Sequence, residues 1–195
     1  MTRTFCQPTK RIVKPDFPFD VQLARRVLLH FSATEFQRLA VLLIESGYEA
    51  SELHELAWEP FSSMHESQSL FDAAARRIGL ALPTRQEAVQ ILLYHYATRI
   101  TGGESTPHDE LHRLMKEVYW TEVSIHQSSV FVGDSYDMQH FIGAYWSYED
   151  MMDSPNVIGF NGLYGDAAIK AFDEHVRLTA AEWLTRHPEP PRIQI

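Results

Sequence analysis

The amino-acid sequence predicts a mainly α fold, a single helical-bundle-like domain of about seven helices. Apolar residues recur at the three- and four-residue spacing of amphipathic helices through most of the chain, and helix-starting and helix-ending residue types border these stretches. A chain of 195 residues with 45% hydrophobic residues can also bury a sizeable core without disulfides. The predicted helical domain spans residues 19–187.

The segments outside this domain lack helical periodicity. Residues 1–18 contain Pro8, Pro15 and Pro18 and predict an extended N-terminal arm. Residues 188–195 predict a C-terminal tail, because the last periodic stretch stops before Pro188.

Three helices are expected in the first third of the domain. Asp20 is the predicted N-cap of the first, whose apolar face is Val21, Leu23, Ala24, Val27, Leu28 and Phe31. Ser32 and Glu35 form a capping box that starts the second helix, which runs to Gly47. The third runs from Ser51 toward Trp58.

The next helices carry clear start and stop signals. After a serine-rich stretch at 62–69, apolar residues recur from Leu70 to Ile78, and Gly79 ends that segment. A second capping box, Thr84 to Glu87, opens a helix that ends at Gly102 and Gly103, and Thr106 followed by Pro107 opens the next.

The last part of the domain contains one ambiguous segment. Residues 120–134 have no clear period, so a small β element and a buried turn are both compatible with Val130, Phe131 and Val132. Apolar positions from Phe141 to Tyr148 predict a helix, residues 153–165 predict a loop, and residues 166–186 predict a final helix.

Charge is distributed unevenly along the chain. The net charge is −9, which disfavours binding to nucleic acid or to an anionic membrane. Met1–Arg38 carries seven basic and three acidic residues, whereas Glu104–Glu174 carries thirteen acidic residues against three basic ones. The second segment is either a solvated surface or a face that attracts a basic partner.

Cys6 is the only cysteine, so an intramolecular disulfide is impossible and a reducing, cytoplasmic location is expected. No apolar run has the length of a signal peptide or of a membrane span.

No pattern of catalytic residues is present, and no cofactor is expected. His108 and His112 are one helical turn apart, a spacing that can place two imidazoles on one metal ion. Asp109 rather than glutamate follows the first histidine, and no third ligand is evident. Exposed or core-edge histidines are therefore expected, with a metal site as the alternative.

Aromatic residues are dense between Tyr136 and Tyr164. Most of them fit a helical core. Two of them, together with the acids that follow, are the predicted partner-binding residues, because aromatic anchors within a charged rim are typical of protein interfaces. These are Trp146, Tyr148, Glu149, Asp150 and Asp153.

Two stretches carry a family resemblance. The first combines Leu82-Pro83-Thr84, Glu87-Ala88, Tyr96-Ala97, Ile100, the glycines at 102–103, Thr106-Pro107 and Tyr119-Trp120. The second combines residues 141–144, Ser147, Glu149-Asp150 and the helix beginning at Asp166. They resemble uncharacterised bacterial helical proteins, some of which look like immunity proteins of contact-dependent or polymorphic toxin systems.

That resemblance implies a non-enzymatic binding protein that neutralises a cognate toxin by occlusion. The expected partner is that toxin or another basic protein. Two alternatives from other classes stay open: a metal-dependent enzyme of a helical bundle that uses His108 and His112, and a helical regulatory protein that binds a small molecule.

Overall fold

A computed structural model describes residues 19–58, 63–121 and 135–190, and in these ranges the fold is mainly α, as predicted. The helices are α1 Phe19–Leu28, α2 Ala33–Glu45, α3 Ser51–Trp58, α4 Met64–Ile78, α5 Arg85–Gly102, α6 Pro107–Leu114, α7 Gln139–Asp153 and α8 Gly165–Arg186. A π-turn at Met115–Tyr119 extends α6, and a 3-10 turn at Ser135–Asp137 precedes α7.

Some predictions fall outside these ranges. They include the N-terminal arm with Cys6, the segment 122–134 with its β alternative, and residues 191–195 of the tail. Extended pairing among the described residues is limited to an isolated bridge between Phe160 and Leu163. No helix in the same ranges is both long and apolar enough to cross a bilayer.

The chain forms two compact units. Among the described residues, the first comprises Phe19 and residues 31–81, and it contains α2, α3 and α4 packed on one another. The second comprises residues 20–30 and 82–190, with α5, α6, α7 and α8. The chain therefore leaves the second unit after α1 and returns to it before α5.

Local capping explains where α2 and α5 begin. The Glu35 carboxylate accepts the Ser32 amide hydrogen at 2.7 Å, while the Ser32 side chain accepts from the Glu35 amide. Thr84 and Glu87 make the same reciprocal pair at the start of α5. Both capping boxes predicted from the sequence are confirmed, because each depends on residues only three positions apart.

Two boundaries differ from the sequence prediction. Helix α4 begins at Met64 rather than Leu70, since Ser63 caps it and the Ser67 and Ser69 hydroxyls bond to carbonyls one turn earlier. Helix α1 begins at Phe19, so Asp20 lies in its first turn and is not the N-cap.

Phe31 was predicted on the apolar face of the first helix, but α1 ends at Leu28. Phe31 packs instead within the first unit, with its ring 5.6 Å from that of Phe36.

The core of the second unit surrounds α5. This helix buries residues on several sides, because it packs against both α6 and α8. Its largest fully buried side chain is Tyr96. Helix α7 in turn packs on α6 and α8. One side of α7 is therefore buried, and the opposite side is exposed.

Gly143 lies within α7 with nothing in the space that a Cβ would occupy. Replacing it with alanine is expected to raise the free energy of unfolding by about 0.5–1 kcal/mol, since alanine loses less backbone entropy in a helix. Urea denaturation measures this change; a lower stability of the Gly143→Ala variant would contradict the expectation.

Candidate functional site

Helix α7 separates a buried stripe from an exposed one. The buried stripe consists of Phe141, Tyr145, Tyr148 and Met151. The exposed stripe consists of Trp146, Asp150 and Asp153, spaced at i, i+4 and i+7, and Trp146 retains 49% of its surface. Three of the five predicted partner-binding residues therefore share one open face.

Tyr148 lies in the core rather than on this face, because residues two positions apart lie far around a helix from each other. Its hydroxyl donates to Asp173 Oδ1 at 2.6 Å, and its ring packs edge-on against Phe172. Burial and then the Asp173 carboxylate raise the pKa of the Tyr148 phenol. Tyr148 thus attaches α7 to α8.

Glu149 lies between the two stripes and is half-exposed. Its Oε1 is 2.9 Å from Nε2 of His108, which comes from α6. The His108 ring is parallel to the ring of Tyr145, with an interplanar angle of 4°. This pair ties α7 to α6 and fixes one edge of the exposed face.

Trp120 extends the face and was not among the predicted site residues. It is 50% exposed, and its indole meets the ring of Tyr145 edge-on at 5.9 Å. Trp146 meets the same tyrosine edge-on at 5.1 Å. Two half-exposed indoles thus flank one buried ring. We call Trp120, Trp146, Glu149, Asp150 and Asp153 the aromatic-acidic surface.

The π-turn sets the position of Trp120. The Trp120 amide donates to the Met115 carbonyl at 2.9 Å, a bond across five residues rather than four. Such a turn rotates the following residue relative to a continuous α-helix, and π-turns frequently occur at functional sites. Periodicity analysis assumes 3.6 residues per turn, so it cannot place a residue that follows a π-turn.

A polar network within the second unit holds this turn. Glu117, in the π-turn, accepts from Arg25 Nε at 2.8 Å, and Arg25 also donates to the Tyr96 hydroxyl at 3.1 Å. His95 lies beside this network; its burial, with Arg25 and Arg99 nearby, lowers its pKa to about 4. His95 is therefore neutral at pH 7 and adds no charge.

The aromatic-acidic surface carries three carboxylates, those of Glu149, Asp150 and Asp153. Helix α7 contains no lysine or arginine, and no such residue occurs anywhere between Lys116 and Lys170. Glu149, Asp150 and Asp153 lie at the C-terminal end of α7, where the helix dipole disfavours negative charge by about 0.3–1 kcal/mol per residue. These three carboxylates therefore do not stabilise α7 through its dipole.

The alternative metal site is incomplete among the described residues. The His112 ring is exposed and contacts the rings of Trp120 and Tyr145, while Nε2 of His108 faces Glu149. No three His, Cys, Asp or Glu side chains are grouped to hold a metal ion within residues 19–58, 63–121 and 135–190.

A cleft lies beside the C-terminal end of α8. It has a volume of about 160 Å³ and is lined by residues that include Tyr94, Tyr136, Trp183, His187 and Pro188. Ligand pockets usually measure about 300–1,000 Å³, so this cleft has room for roughly one ring. This cleft is therefore smaller than a typical ligand pocket.

Comparison of the chain with protein-family models, with characterised proteins and with solved structures gave no match.

Proposed function

We propose that this protein binds another protein through the aromatic-acidic surface and that its partner presents a basic surface. The main support for this proposal is the pair of half-exposed indoles, Trp120 and Trp146, which pack on the buried ring of Tyr145. Tryptophan is among the residues most enriched at interface hot spots, and a preorganised side chain loses little entropy on binding.

The two indoles and the carboxylates have different roles in this proposal. Covering the open half of one tryptophan removes about 100 Å² of surface from water, worth about 2.5 kcal/mol. Exposed carboxylates such as Asp150 and Asp153 add less affinity, because water and salt screen them. They accelerate the encounter with a basic protein and disfavour acidic partners.

The specific proposal is an immunity protein that occludes a cognate toxin. Its support is the family resemblance of residues 82–120 and 141–166, together with the negative charge around Trp146. In this mechanism the indoles fill apolar depressions on the toxin, and the acidic residues pair with lysine or arginine side chains near the toxin's substrate site.

Coexpression with the product of the adjacent gene tests this proposal. We expect the two proteins to copurify and this protein to restore growth of cells that produce the partner. Absence of both copurification and rescue would reject the immunity assignment.

Trp146→Ala is expected to weaken such a complex about 30- to 150-fold, the effect of losing a hot-spot anchor worth about 2–3 kcal/mol. Isothermal titration calorimetry with the copurified partner measures this loss.

Leu178→Ala is the matched control, because Leu178 on α8 is 66% exposed and lies outside the aromatic-acidic surface. It should bind as the wild type does. Equal affinities of the wild type, Trp146→Ala and Leu178→Ala would show that Trp146 is not part of the interface. The copurification result would still stand.

A further inference from the structure

The loop between α7 and α8 is closed and internally bonded. The Gly165 amide donates to the Pro155 carbonyl at 2.9 Å, so the ends of an eleven-residue loop meet. Within it, Phe160 and Leu163 exchange two backbone hydrogen bonds of 3.0 and 2.9 Å. Compact loops with joined ends of this kind are frequently functional.

The residues at the tip of the loop suit this geometry. Asn161 and Gly162 both have positive φ, 50° and 76°, which are the signs that a tight two-residue hairpin turn requires. A Cβ at Gly159 would overlap the Leu163 carbonyl oxygen, so only glycine permits this close approach.

Phe160 fixes the loop to α8. Its ring lies 5.0 Å from that of Phe172 and 5.4 Å from that of His175. The loop is thereby bonded within itself and packed against α8.

Apolar side chains on this ordered loop nevertheless point outward. Val157, Ile158, Leu163 and Tyr164 keep between 40% and 77% of their surface exposed, and Met152 at the end of α7 is also exposed. These five account for half of the ten exposed large hydrophobic residues among the described residues. Single exposed apolar residues are ordinary, but several of them on one short loop make that loop a candidate interaction site.

We propose that residues 157–164, which we call the apolar loop, dock a basic amphipathic segment of a partner protein. Asp153 precedes the loop and Asp166 follows it, and both are exposed. Apolar side chains of the partner would cover Val157, Ile158, Leu163 and Tyr164, and its flanking lysines or arginines would face the two aspartates. The proposal rests on the protein-binding function but uses residues outside the aromatic-acidic surface, apart from Asp153.

The charge around the loop distinguishes this partner from two other occupants. An anionic bilayer fits the loop poorly, because residues 154–165 contain no lysine or arginine to contact its headgroups and aspartates flank them on both sides. A second copy would present the same loop with the same flanking aspartates, so its loop offers no lysine or arginine to face them.

A synthetic amphipathic peptide made only of leucine and lysine is the probe for this inference. Fluorescence anisotropy of the labelled peptide should show saturable binding to the full-length protein. The double substitution Ile158→Ser and Leu163→Ser should weaken that binding about tenfold or more, because two apolar contacts are lost. Val157→Ser with Tyr164→Ser should act similarly, and circular dichroism checks that both variants are folded.

Leu178→Ser is the matched control, since it changes an exposed apolar residue on α8 and should leave peptide affinity unchanged. Three results would overturn the inference: no binding by the wild type, equal binding by the loop variants, or equal loss in Leu178→Ser. Binding lost only in Trp146→Ala would also overturn it, while favouring the aromatic-acidic surface as the peptide site.

The other occupants are tested on the same proteins. Two results would overturn the choice of partner. One is cosedimentation with phosphatidylglycerol vesicles that the loop substitutions abolish. The other is a dimer, detected by analytical ultracentrifugation, that the same substitutions abolish. Copurification with the adjacent gene product tests the proposed function separately, so the two can fail independently.

Discussion

Trp183→Ala is expected to lower the free energy of unfolding by about 3–5 kcal/mol, the range for removing a large aromatic side chain from a core. Trp183 is almost fully buried on α8. Its ring packs against Phe141 at 5.8 Å and stacks on His187 at 4.2 Å. The substitution would leave a cavity lined by both partners.

The same substitution also removes a hydrogen bond. The Trp183 indole N–H donates to the Tyr136 carbonyl at 3.0 Å, and Tyr136 has a φ of 60°. A bulky residue rarely adopts this conformation without support from its surroundings. Losing the indole therefore removes one of the contacts that hold the turn at residues 135–137 in front of α7.

Urea denaturation followed by circular dichroism measures the effect. Trp146→Ala is the matched control, since half of that indole is already exposed, and it should cost about 1 kcal/mol or less. Trp183→Phe keeps a ring and removes the N–H, so it should lie between the two. A Trp183→Ala variant as stable as Trp146→Ala would refute this account of the core.

Glu110→Ala is expected to lower the free energy of unfolding by about 2–3 kcal/mol. Glu110 is fully buried at α6, where its Oε1 accepts from Arg99 at 2.8 Å and from Arg113 at 3.1 Å, and Ser105 also donates to it. Breaking a wholly buried ion pair costs about 3–5 kcal/mol. The loss expected for Glu110→Ala is at or below the lower end of this range, because the guanidinium of Arg99 reaches solvent.

Glu104→Ala is the matched control for that substitution. Glu104 also bonds to Arg99, at 2.9 Å, but its side chain is 69% exposed. Exposed ion pairs contribute about 0–1 kcal/mol, so this variant should resemble the wild type. Equal losses in the two variants would mean that burial does not set the strength of these pairs.

The contribution of Glu110 should also depend on pH. Burial would raise the pKa of this carboxyl, but the hydrogen bonds from Arg99 and Ser105 outweigh burial and hold the pKa below its usual 4.5. The stabilisation is therefore complete above pH 4.5 and is lost as the pH falls through the lower pKa of the folded protein. The stability difference between wild type and Glu110→Ala should shrink below pH 4.5.

Helix positions were predictable where the signal is local. The capping boxes at Ser32 and Thr84 and the Thr106 cap of α6 involve residues three positions apart, so the sequence shows them directly. The serine-rich start of α4 was missed, because serine equally favours turns and helix caps.

The candidate site was predictable in part for the same reason. Trp146, Asp150 and Asp153 share a face because helical periodicity places them there. Tyr148 was assigned to the same group by its proximity in sequence, whereas its position on the helix directs it to the core.

The sequence by itself determined a mainly helical chain with capped helices and a negative segment centred on α7, because propensity, capping and charge act within a few residues. Only the tertiary structure decided that Trp120 joins Trp146 across Tyr145 and that Arg25 holds Glu117, 92 positions away. It likewise decided that the apolar loop closes with its side chains outward. Such contacts depend on how distant elements pack, and a helical period or a local charge count carries no information about that packing.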